Sequence, residues 1–108
     1  MSLINIEKLI YDDLDYLLKK KSKNGELTIS IVIEVASYVA AKYLRIIYSK
    51  NKEVKPDELN GIFGIISNFY KASFDDHLHA DDYKKISSLA LNLLTDTNFD
   101  NNCKNFFS

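Results

Sequence analysis

One stretch constrains this chain more than any other: residues 28–48, TISIVIEVASYVAAKYLRIIY, the most apolar run in the sequence. Val32, Val35, Ala36, Val39, Tyr43, Ile46 and Ile47 recur at intervals of three and four, which puts them on one face of a helix. The start of the stretch carries a competing signal. Ile29, Ile31, Ile33 and Val35 alternate with Thr28, Ser30, Val32 and Glu34, a period of two in β-branched residues. No glycine or proline separates the two patterns, and a strand running into a helix without a turn residue is disfavoured. The stretch is therefore read as one helix capped by Thr28, with a short strand over 27–35 as the alternative. Apolar residues nearly all round the helix predict that it is covered on several sides. Glu34, Lys42 and Arg45 interrupt it, and a charge at the bilayer centre costs at least roughly 2.5 kcal/mol. A buried helix of a soluble protein is expected, with no membrane span.

The remaining segments read as amphipathic partners for this helix. The first runs from about Leu3 to Lys21 with the stripe Leu3, Ile6, Ile10, Leu14, Leu17 and Leu18. Its acids (Glu7, Asp12, Asp13, Asp15) precede its bases (Lys19, Lys20, Lys21), an order that complements the helix dipole. That explains the lysine run without a nucleic-acid surface, which would want basic residues along one face and no acids nearby. Lys23-Asn24-Gly25-Glu26 is the turn that follows, with Gly25 free to take positive φ. Residues 49–55, SKNKEVK, form a polar connector, and Pro56-Asp57-Glu58 opens a third helix. Leu59, Ile62, Phe63, Ile66, Phe69 and Tyr70 make its stripe. Gly61 and Gly64 lie inside it, and the expected reason is close packing against Ala36, Ala40 and Ala41. A loop is expected from Ala72 to His79, then a fourth helix from Ala80 or Asp81 to about Thr95 with Tyr83, Ile86, Leu89, Ala90, Leu93 and Leu94 inward. The tail, TNFDNNCKNFFS, has Phe99, Cys103, Phe106 and Phe107 as anchors and is expected to dock. The predicted fold is all-α: residues 1–108 as a single domain, a four-helix bundle or bundle-like packing with a docked C-terminal tail.

Composition limits function. The single cysteine, Cys103, excludes an internal disulfide and a multi-cysteine zinc site. The N-terminus lacks a basic region followed by an apolar run, so a cytoplasmic location is expected. Residues 1–55 hold ten Lys/Arg against seven Asp/Glu, whereas 56–108 hold four against eight. The acidic second half favours a basic partner.

The candidate site lies there, at Asp75-Asp76-His77-Leu78-His79-Ala80-Asp81-Asp82, followed by Tyr83. Both histidines of the chain fall among four aspartates. His-x-His suits a metal only on extended backbone, where alternate side chains share a face; in a helix the two point about 200° apart. No second pair of ligands is evident elsewhere, so no metal and no cofactor are expected. The preferred reading is a partner-binding epitope of Asp75, Asp76, His77, His79, Asp81, Asp82 and Tyr83. Tyrosine, with seven copies here, supplies contact area at low entropic cost. No nucleophile or acid–base pair is evident, and the chain is expected not to be an enzyme.

ELNGIFGIISNFY, DDHLHADD and YKKISSLALNLL, spanning Glu58 to Leu94, form a helix, an acidic turn and a helix. In layout this third of the chain resembles the helical immunity proteins that bacteria carry against their own nuclease toxins, of the colicin-D and contact-dependent-inhibition kinds. The resemblance implies a bacterial, non-enzymatic inhibitor whose partner is a basic nuclease toxin, and assigns no individual residue. Two alternatives stand beside it: a regulatory or adaptor bundle that self-associates through the central or third helix as a homodimer, and a metal-dependent helical enzyme using His77 and His79.

Overall fold

A computed structural model describes residues 3–22, 24–47 and 56–108. They form five helices: α1 (Leu3–Lys21), α2 (Ile29–Ile47), α3 (Pro56–Phe74), α4 (Ala80–Thr95) and α5 (Phe99–Phe107). The expected connector at 49–55 lies outside the described residues, as do Tyr48 and the side chain of Leu3. No β-strand occurs among the described residues, so the alternative strand over 27–35 is not formed. Thr28 caps α2 as expected, its Oγ1 accepting the Ile31 N–H at 3.3 Å. Upstream, Asn24 and Gly25 take φ of 54° and 77°. Both are residue types that tolerate the left-handed region, and the pair reverses the chain between α1 and α2.

α2 is the hub, packing against each of the other four helices. Its contact with α4 is the most extensive, and α1 and α3 close on α2 and on each other. The buried residues of α2 run from Val32 to Leu44 and leave only a narrow exposed edge. Ala36, Ala40 and Ala41 are buried, and their small size lets neighbouring helices approach closely. Ser37, the buried polar residue of this core, donates its hydroxyl to the Ile33 carbonyl at 2.6 Å. Burial therefore leaves no polar atom unmatched there. Near the ends of α2 and α4, Arg45 donates to the Leu94 carbonyl at 3.0 Å. The C-terminal ends of the two helices thus lie side by side, and the helices run in the same sense.

An interhelical polar contact joins α1 to α2. The Asp13 carboxylate accepts from Lys42 Nζ at 2.8 Å and from the Tyr43 hydroxyl at 2.6 Å. Burial, and then the hydrogen bond and charge of Asp13, push the Tyr43 phenol well above its ordinary pKa. It therefore remains a hydrogen-bond donor across the ordinary pH range.

Five expectations need correction. Leu89, expected inward on α4, is 43% exposed, because it faces the side of α4 that no neighbouring helix covers. Ile46, placed on the buried stripe, is 55% exposed. It shares the side of Val39 but sits in the last turn, past the cover of the packed helices. Gly61 and Gly64 do not mark close packing: both are exposed, and a methyl group added at either would meet nothing within 4 Å. Alanine at either position should raise the unfolding free energy by about 0.5–1 kcal/mol through its better helix propensity. A urea midpoint shifted upward would show it, whereas a downward shift would mean that the backbone is in close contact there. α3 does not end at Ala72 but continues through Phe74, because nothing in Ala72-Ser73-Phe74 breaks a helix. Finally, the docked tail is a helix. Phe99, Cys103, Phe106 and Phe107 fall at i, i+4, i+7 and i+8, with Phe99 and Phe106 buried.

α5 is held by aromatic contacts. Phe106 stacks on Tyr38 with ring centroids 3.9 Å apart and planes 6° from parallel. Lys21 Nζ lies 4.3 Å from the Phe106 ring centroid, Lys42 Nζ 4.5 Å from that of Phe107, and the Arg45 guanidinium 4.6 Å from that of Phe99. Cations from α1 and α2 thus face all three phenylalanines of the short helix, each contact being worth about 0.5–1 kcal/mol where water reaches it.

Candidate functional site: the acidic turn between α3 and α4

The turn is built from its own backbone demands. α3 stops because Asp75 takes φ of 50° while its N–H still bonds to the Lys71 carbonyl at 2.9 Å. Aspartate is one of the few non-glycine residues that adopts this conformation readily. Asp76 Oδ1 then accepts the His77 N–H at 2.8 Å. Leu78 is buried, at 7% exposure, and pins the middle of the turn to the core. His79 is extended, with φ −82° and ψ 160°, and stands at the N-cap of α4. Its N–H donates to Asp82 Oδ2 at 3.0 Å, so Asp82 reaches back from the third position of the helix to close its first turn.

These bonds divide the predicted site residues. Asp75, Asp76, His77, His79 and Asp81 are exposed, whereas Asp82 is half-buried and committed to the helix cap. Tyr83 is also half-buried. Its hydroxyl hydrogen-bonds with Ser67, and its ring centroid lies 6.2 Å from that of Phe63, so it braces α4 against α3. The site therefore presents an exposed rim of Asp75, Asp76 and Asp81 with two histidines, on a frame held by Leu78, Asp82 and Tyr83. Among the described residues, none of the four aspartates forms an ion pair with a lysine or arginine. The rim thus carries negative charge with no ion-pair partner among the described residues.

Beside it stands an aromatic pair that the sequence reading passed over. Tyr70 and Phe74, one turn apart at the end of α3, have ring centroids 4.9 Å apart, and Phe74 is 40% exposed. Burial raises the Tyr70 pKa, and the charges of Asp76 and Asp82 raise it further, which ties this pair electrostatically to the acidic turn. The i, i+4 spacing was visible in the sequence. It escaped notice because Tyr70 read as core and Phe74 fell in the stretch expected to be a loop.

Among the described residues no three of His, Cys, Asp and Glu converge in a way that could hold a metal ion. His77 and His79 lie on the exposed rim. Cys103 is half-buried, and burial, followed by the charge of Asp100, pushes its thiol upward against the opposing pull of Lys42 and Arg45. An activated thiolate needs the reverse. No helix of the described residues is long and apolar enough to cross a membrane. Comparison with protein-family models, curated proteins and solved structures finds no match to the chain.

Proposed function

We propose that this chain is a non-enzymatic protein-binding module, most concretely an immunity protein that neutralises a cognate bacterial toxin by occluding its active surface. The observation that carries the reading is the rigid acidic turn, free of internal ion pairs, beside the partly exposed Tyr70–Phe74 pair. Nucleases bind phosphate through lysine and arginine, and a fixed row of carboxylates meets the same cations. Complementary charge speeds encounter, and an aromatic anchor next to it supplies contact area that excludes water. Because the turn is already ordered, little conformational entropy is lost on binding.

The test is affinity capture from a lysate of the source organism at low salt, with the wild type and with D75N/D76N/D81N. Asparagine tolerates the left-handed backbone at 75 and keeps an acceptor at 76, and leaving Asp82 in place preserves the helix cap. The expected result is one stoichiometric basic protein retained by the wild type, released by salt and lost from the triple variant. Equal retention by both would remove the acidic-turn mechanism.

A further inference from the structure

A second surface, separate from the acidic turn, lies between α2 and α4. The two helices flank a groove of about 690 Å³. Ile33, Leu89 and Leu93 give it an apolar lining, and Leu89 is 43% exposed. Glu34 stands on the α2 wall and Lys85 on the α4 wall. Both are exposed, and neither forms an ion pair or hydrogen bond with a described residue. The groove therefore combines an apolar lining with one charge of each sign on opposite walls, neither paired with a described residue.

The geometry points to a second copy of this chain as the occupant, in a two-fold symmetric dimer. A two-fold interface brings the same patch of both subunits together, so residue i meets j and j meets i. Self-pairing therefore needs a patch that carries both halves of each complementary pair. Here the sense of the helices supplies the geometry. Arg45 and Leu94 lie side by side, and Glu34 and Lys85 are separated by nearly the same number of positions. Glu34 and Lys85 thus sit at about the same height along two helices that run the same way. A two-fold axis along the groove exchanges its walls and preserves height. It sets each Glu34 against the other copy's Lys85 twice over and closes the two Leu89 side chains over one apolar seam. A basic or an acidic partner would satisfy one wall and repel the other. A stable pair of proteins covers about 800 Å² on each side, roughly an eighth of the chain's 6850 Å² surface. Two adjacent helices, each about 24–28 Å long and about 10 Å wide, offer at most about 500 Å² of this, so the surface flanking the groove must supply the rest.

The proposal does not depend on the toxin-neutralising reading, since it uses none of the residues of the turn. Its test is sedimentation velocity over a range of concentrations on the wild type, E34K, K85E and E34K/K85E, with circular dichroism to check that each folds. The wild type is expected to dimerise. Each single variant places two like-charge pairs in the interface and should weaken association on the order of a hundredfold. The double variant restores opposite charges and should dimerise again, yet not pair with the wild type. Monomers at every concentration, single variants that dimerise as well as the wild type, or a double variant that stays monomeric would each overturn it.

Discussion

Replacing Leu44 by alanine is expected to cost about 2–5 kcal/mol of unfolding free energy, the range for truncating a fully buried leucine. Replacing Ile46 by alanine, two residues on, should change stability by less than about 0.5 kcal/mol. Leu44 is 1% exposed and Ile46 is 55% exposed. The contrast is diagnostic because periodicity alone ranks them the other way: Ile46 falls on the apolar stripe of the central helix and Leu44 does not. A domain of this size is stable by about 5–15 kcal/mol, so the Leu44 variant loses a large part of its stability. Urea unfolding of the two variants with an unchanged slope would measure it. Equal losses would mean that α2 is covered through its last turn.

Phe106→Ala is the second large effect, and its form differs from that of a core cavity. Truncating a buried phenylalanine costs about 3–5 kcal/mol when the site cannot relax. Here the stack on Tyr38 and the face toward Lys21 both vanish. α5, however, has nine residues, and a helix so short has no stability of its own in water. Once the anchor is gone the helix is expected to undock, which limits the loss to its docking free energy. Hydrogen exchange should show α5 amides losing protection while those of α1 and α2 keep it. A concerted loss over all five helices would show instead that α5 is integral to the core.

Much of the fold was legible because the signals were redundant. Stripe and charge order agreed for α1, and Thr28 with its following apolar run placed the start of α2 within a residue. The misreadings have a common cause: sequence pattern tells which residues share a face, not where along that face a neighbour stops. That is why Ile46 and the two glycines were taken for contacts. α5 was obscured by composition, since Asn, Asp and Lys between its aromatics read as a polar tail although the spacing of 99, 103, 106 and 107 is helical. At the candidate site the cluster of acids was plain from the residues. The division of labour within it was not, because Asp82 as a cap, Tyr83 as a brace and Leu78 as an anchor are defined only by what they touch.

The central claim is that the acidic turn blocks the working surface of a basic partner. The most direct measurement is a titration of the captured partner's nuclease activity with this chain, wild type against D75N/D76N/D81N. Activity should fall to its limit at one equivalent of the wild type, with the triple variant needing a large excess. A partner that binds tightly yet keeps its full activity at saturation would contradict the account.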